Sequence, residues 1–220
     1  MNQFLYRFGS AEYDFSARTH LVGVLNVTPD SFSDGGKYLD KRAAVEHAVK
    51  MVEEGADIID VGGESTRPGS DAISLDEEVR RVLPVIEELS QKVTVPISID
   101  TYKSAVARRA LDAGATIIND ISGMTLDPEM ASVAAEHDAS VILMHIKGKP
   151  KTMQENPQYG DVVSEVRDFL EDRIHYAQTR GIHQIIIDPG IGFGKRLEHN
   201  LEVFRRLSEF TDLGYPLMVG

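Results

Sequence analysis

Short runs rich in Ile and Val, almost continuously apolar, alternate along the chain with longer segments whose apolar residues recur at helical spacing. The runs occupy residues 21–26 (LVGVLN), 57–62 (DIIDVG), 96–100 (PISID), 116–120 (TIIND), 140–145 (SVILMH), 184–188 (QIIID) and 216–220 (PLMVG). A strand that is apolar on both faces must be covered on both, which is the mark of a parallel sheet wrapped by helices. The segments between predict helices over residues 41–54, 76–91, 102–113, 128–137, 161–180 and 198–210. Gly55, Gly114 and Gly181 each stand where a helix must stop before the next strand, and Ser74 three residues ahead of Glu77 offers a capping start to the second helix.

Seven strands alternating with six helices predict a (β/α)8 TIM barrel rather than an open doubly wound sheet, because no Gly-rich phosphate turn follows the first strand. Ahead of it, QFLYRF and EYDF predict a small N-terminal β-hairpin closing the bottom of the barrel. At 220 residues the chain is shorter than the roughly 250 of a full barrel, and no seventh helix, eighth strand or eighth helix follows the seventh strand. The expectation is therefore an α/β barrel incomplete at its C-terminus, residues 1–220 forming one domain. Its first and seventh strands would be open edges, which points to a piece of a longer gene product.

Composition removes several classes of function. With 23 Lys and Arg against 35 Asp and Glu the net charge is −12, a field that repels a phosphate backbone, so nucleic acid is not an expected partner. No apolar run approaches the roughly 20 residues that span a bilayer, and the N-terminus lacks the basic-then-apolar layout of a secretory signal. A cytoplasmic protein with no membrane partner is expected. The absence of Cys takes away disulfides, thiolate metal sites and thiol nucleophiles, leaving carboxylate, amide, imidazole and hydroxyl groups to carry any chemistry.

Polar residues end the apolar runs: Asn26, Asp60, Asp100, Asn119 with Asp120, His145 and Asp188. In a parallel barrel all C-terminal strand ends open on one face, so these side chains are expected to meet in one pocket, although Asp and Asn at such places also cap turns. The loops over residues 27–40 and 63–75 are long for strand-to-helix connections and rich in Gly, Ser, Asp and Pro. With backbone N–H groups and Arg67 they suit an anion such as a diphosphate, or else are plain surface loops. The segment DPGIGFGK (188–195) is not a Walker loop: three residues separate Gly190 from Gly194, and Arg196 stands where Ser or Thr would bind Mg2+. Its glycines let the backbone come close to a planar ring, with Phe193 available to stack on it. A lone strand-end His145 reads as a hydrogen-bonded residue rather than a metal ligand, and KGKPK (147–151) as a solvated loop.

Taken together, GVLNVTPDSFSDGG, DVGGESTRPG, ISIDTYK, IINDISG, LMHIKGKPKTMQ and IIIDPGIGFGK resemble the motifs of the dihydropteroate synthases over essentially the whole chain. The resemblance implies an enzyme that condenses a dihydropterin diphosphate with 4-aminobenzoate, releasing diphosphate, in folate biosynthesis. It implies that Asp188 and Asn119 hydrogen-bond the polar edge of the pterin, and that Asp100 near the ring steadies developing positive charge. Ile121, Met144 and Phe193 would shape the slot. Asn26 would hold a Mg2+ on the diphosphate, Thr66 and Arg67 would sit on the closing second loop, and Phe32 and Pro68 would border the aminobenzoate. A homodimer and competition by sulfonamides are further implications. The family's Ser-Arg-Lys segment after the seventh strand and Arg-x-His after the eighth have no counterpart in this sequence, and Lys195 is the cation nearest to hand for compensation. A non-catalytic fragment, or a methyltetrahydrofolate-type methyltransferase on a similar barrel, are the alternatives.

Overall fold

Six parallel strands lie side by side in the order of the chain: β3 (Val22–Asn26), β4 (Ile58–Gly62), β5 (Ile97–Asp100), β6 (Ile117–Asp120), β7 (Ser140–Met144) and β8 (Ile185–Asp188). They are preceded by an antiparallel hairpin, β1 (Leu5–Phe8) and β2 (Ala11–Asp14). The computed structural model describes residues 4–28, 36–66 and 69–220, and of residues 36–40 the backbone alone. The helices are α1 (Gly36–Glu53), α2 (Leu75–Leu89), α3 (Ser104–Asp112), α4 (Met130–Glu136), α5 (Val162–Thr179), α6 (Leu197–Arg205) and α7 (Ser208–Thr211). The parallel α/β order and the hairpin agree with the sequence reading, and among the described residues the sheet does not close into a complete barrel. No helix among them is long and apolar enough to cross a membrane.

Two expectations are corrected. The seventh strand is reduced to a single parallel bridge between Ile187 and Leu217, held by Ile187 N–H on the Pro216 carbonyl (3.0 Å) and Met218 N–H on the Ile187 carbonyl (2.8 Å). The helix predicted over residues 198–210 breaks at Arg206, whose backbone leaves the helical region at φ −111° and ψ 25°. The break turns Phe210, fully buried, into the core, while the Arg206 guanidinium reaches Asp161 at the start of α5 and Glu209.

The punctuation works as the letters imply. Ser74 Oγ accepts from Glu77 N–H at 3.2 Å, although the Glu77 carboxylate turns to Arg80 and Arg81 instead of reaching back to the cap. Gly114, at φ +115°, could not carry a side chain: a Cβ there would lie 2.7 Å from Ser90 Cβ.

Alternation along the strands separates two cores. Ile59, Val61, Ile99, Ile118, Val141, Leu143, Ile185 and Ile187 face the helices, whereas Ile58, Ile117, Ile142 and Ile186 face the concave side and pack under Tyr6 and Phe8 of the hairpin. The hairpin is fastened at the strands' N-terminal ends. Tyr6 O–H donates to the Ile185 carbonyl (2.6 Å), Tyr13 O–H to the Asp57 carbonyl (3.1 Å), and the Gln184 amide pairs with both backbone groups of Arg7. With that end filled by aromatic rings, the concave face is open at the strands' C-terminal ends. Removing the plug should therefore be costly: Phe8→Ala is expected to lower the unfolding free energy by about 3–5 kcal/mol, read from urea denaturation.

Candidate active site

The strand residues two positions beyond the buried isoleucines share their face. Asp60 follows Ile58, Asn119 follows Ile117, Met144 follows Ile142 and Asp188 follows Ile186. Register completes the row: Asn26 lies opposite Gly62, Gly62 opposite Asp100, Asp100 opposite Asn119, and Met144 opposite Asp188. Gly62 matters here, because its missing side chain lets the Asp100 carboxylate lie across β4; a Cβ would come within 3.2 Å of Asp100 Oδ2. Asn119 Nδ2 donates to Asp60 Oδ2 at 2.9 Å, and Gly190 N–H donates to Asp188 Oδ1 at 2.7 Å. Ile121 and Met144 are buried yet belong to neither hydrophobic core, while Phe193 is half-buried in the turn after β8.

The pocket is electrostatically unbalanced. Burial pushes Asp188 up to about 6, against the pull of the Gly190 N–H and the positive charge of Lys195. Burial also raises Asp60, against the pull of its Ser98 and Asn119 neighbours. Asp100 rises well above the usual carboxylate range, through burial first and then the negative charges of Asp60, Glu78, Asp120 and Glu64. Among the described residues no Lys or Arg forms an ion pair with Asp60, Asp100 or Asp188. Three carboxyls and an amide on a concave surface present more acceptors than the Asn119 amide and the Gly190 N–H can satisfy. Chemically, such a surface suits a ligand that presents N–H donors.

The expected convergence of all strand-end polar groups is only partly met, because position along a strand sets its face. Asp120 and His145 fall on the other parity. Asp120 accepts from the N–H and Oγ of Ser122 and from Met124 N–H, a turn-capping role. His145 points to the helix layer beside Tyr159 and Phe169, and its Nδ1 takes a hydrogen bond from Lys195 Nζ at 2.9 Å. Burial and the Lys195 charge bring its pKa down to about 3, so the ring is neutral. Lys195 itself is buried, with Nζ on His145, the Gly190 carbonyl (2.8 Å) and the Phe193 carbonyl (3.2 Å), so it does not stand in the pocket as a compensating cation.

Asn26 ends β3 with its side chain exposed, and Thr66 is half-buried after β4; Phe32, Arg67 and Pro68 lie outside the described residues. The KGKPK segment is a solvated loop whose Lys147 covers the Tyr159 ring and pairs with Glu165, while Lys151 pairs with Asp71.

One cluster escaped the sequence reading. Lys103 Nζ bonds Glu64 (2.5 Å), Glu78 (2.6 Å) and the Ile73 carbonyl (2.9 Å), with Tyr102 O–H on Glu64 (2.5 Å) and Thr101 Oγ1 on Glu78 (2.6 Å). It ties both ends of the loop between β4 and α2 to the end of β5. Partners 39 and 25 residues from Lys103 leave no local signature.

The pterin binding enzyme family matches residues 22–220. A dihydropteroate synthase of Synechocystis is 50% identical over 214 residues, 96% of this chain and 74% of that protein. The dihydropteroate synthase of Xanthomonas albilineans with 4-aminobenzoic acid superposes with a TM-score of 0.92 at 42% identity, covering 99% of this chain and 77% of that one. The Yersinia pestis enzyme in complex with a sulfonamide drug gives 0.91 at 42% identity, covering 98% and 78%.

The unbalanced carboxyl makes a stability prediction with a definite sign. The folded-state pKa of Asp188, about 6, exceeds its ordinary value of 3.8, so the folded protein retains a proton that the unfolded chain has lost. Its contribution is favourable at low pH and declines as pH climbs from about 4 through 6. Asp188→Asn keeps an acceptor for Gly190 N–H and is expected to stabilise the fold by about 1–3 kcal/mol at pH 8. Urea denaturation at both pH values should show a much smaller gap from wild type at pH 4.

Proposed function

The chain belongs to the dihydropteroate synthases, a branch of the pterin-binding enzymes, and on that footing we propose that its concave acidic pocket seats the ring of a dihydropterin diphosphate for attack by 4-aminobenzoate. The enzyme is a transferase of folate biosynthesis. The observation that carries the reading of the site is the gathering of Asp60, Asp100, Asn119 and Asp188 on one concave face, with no Lys or Arg among the described residues in an ion pair with the three carboxyls. A pterin's amino group and ring N–H supply the missing donors.

In this arrangement Asp188 and Asn119 accept from and donate to the pterin edge, while Ile121, Met144 and Phe193 wall its faces. As the bond between the exocyclic methylene and the diphosphate oxygen lengthens, its electron pair leaves with the diphosphate and positive charge spreads over the methylene and the ring. Asp100, beside the ring and already raised in energy by its acidic neighbours, is stabilised by that charge, an interaction stronger in the transition state than before it. The amine of 4-aminobenzoate then forms the C–N bond and gives up a proton, and no protein nucleophile takes part. Thr66 and Arg67 serve the diphosphate end, and Phe32 and Pro68 border the aminobenzoate.

Mg2+ fits this reading as an ion shared with the substrate. Asn26 offers one exposed amide oxygen at a strand end, and the described residues hold no group of three or more His, Asp or Glu able to take a metal by themselves. Asn26 would hold it there, and when bound such an ion neutralises the departing diphosphate. Pairing of two copies belongs to the same reading, supported by Leu197, Leu201 and Phe204 exposed along α6.

Diphosphate release in the presence of both substrates and Mg2+ tests the reaction, and a protein that neither binds the dihydropterin diphosphate nor releases diphosphate would refute it. Asp100→Asn is expected to lower kcat by about 100-fold. Affinity for the dihydropterin should strengthen between pH 5 and pH 7 as Asp188, at about 6, becomes a full acceptor; an affinity indifferent to pH across that window removes Asp188 from the site.

A further inference from the structure

The turn after β8 is pressed against the chain leaving β7 more closely than any side chain would allow. Gly190, at φ +67°, has the His145 carbonyl oxygen 2.0 Å from where its Cβ would stand, and Gly194, at φ +63°, has the Lys147 carbonyl oxygen at 2.4 Å. In the seam lies the Lys195 amino group, its residue 2% exposed and its pKa brought down by burial to about 7. Nζ donates to His145 Nδ1 (2.9 Å) and to the carbonyls of Gly190 (2.8 Å), Phe193 (3.2 Å) and His145 (3.4 Å). A fully buried lysine is rare without a carboxylate partner, and no carboxylate among the described residues is hydrogen-bonded to this one.

What the amino group grips explains its presence. The Gly190 carbonyl it holds belongs to the residue whose N–H fixes Asp188 Oδ1 at 2.7 Å, and the same carbonyl accepts from Phe193 N–H at 3.2 Å. Two of the groups assigned to the pterin, the Asp188 carboxylate and the Phe193 ring, therefore hang from one turn whose shape a single side chain sets.

We infer that Lys195 is a positioning residue for the pterin: it never touches the substrate, but by fixing the Gly190 and Phe193 carbonyls it holds the Asp188 carboxylate and the Phe193 ring in the geometry that receives the ring. The positive charge, one turn from Asp188, also favours the ionised carboxylate. This inference rests on the pterin reading of the pocket.

The test compares wild type with Lys195→Met, which keeps the length and loses the donors, and Lys195→Gln, which restores an N–H donor. KM for the dihydropterin diphosphate is expected to rise about tenfold in Lys195→Met, the loss of roughly one charge-assisted hydrogen bond's orienting effect, with KM for 4-aminobenzoate within about twofold of wild type. Lys195→Gln should recover part of the difference. A merely structural lysine would lower the melting temperature and the active fraction while leaving both KM values in place, and that result overturns the inference. Wild type that fails to bind the dihydropterin diphosphate refutes instead the reading of the pocket, and this inference with it. Should neither variant melt cooperatively, hydrogen exchange of the Gly190 amide in wild type decides: protection like that of the β7 and β8 amides is expected, and solvent-like exchange overturns the preset carboxylate.

Discussion

A strand in a parallel sheet sends its side chains alternately to the two faces, and nearly everything else in this molecule follows from where each residue falls in that count. On the convex face the odd partners Ile59, Val61, Ile99, Leu143 and Ile187 bury themselves under the helices. On the concave face of β4, β6 and β8 the count places isoleucine deep, beneath the hairpin, and a carboxylate or amide two residues later at the mouth. In those three strands apolar burial at one end holds polar groups at the other end in a surrounding that they would not choose for themselves. The chemistry and the core are thus two halves of one pattern.

That coupling has an energetic cost visible in the acids. Asp60, Asp100 and Asp188 are all driven toward their protonated forms, chiefly by burial. A fold optimised for stability alone would fill these places with apolar side chains or pair them with cations. Here the imbalance is kept, and under the proposed function a ligand rich in N–H groups would gain from relieving it. The buried Lys103 cluster shows the contrast: its carboxylates Glu64 and Glu78 are fully paired, and they brace a loop instead of waiting for a ligand.

Much of this was legible in the letters. The strands, the helices, the hairpin and the glycine stops follow from periodicity and backbone sterics, and Asp100, Asn119 and Asp188 from their places at strand ends. What the letters hid was parity and burial. Asp120 and His145 end their runs as convincingly as their neighbours, yet one residue's displacement sends them to the helix side. Lys195 reads as a charged residue in a Gly-rich loop, and nothing local says that three carbonyls will enclose it. The break at Arg206 and the thinning of the last run to one bridge are tertiary outcomes, set by where Phe210 must go and by how far β8 is paired.

The hairpin's fastening has a consequence for the order in which the chain acquires its structure. Tyr6 and Arg7 find their partners 179 and 177 residues downstream, at Ile185 and Gln184. A ribosome emits Tyr6 and Arg7 long before β8 exists to receive them, so these two anchors stay unmade until residues 184 and 185 have been added. Contacts of such long separation slow the search for the native state and leave sticky surface uncovered meanwhile. The hairpin is thus fastened late, by contacts that close nearly the whole span between it and β8.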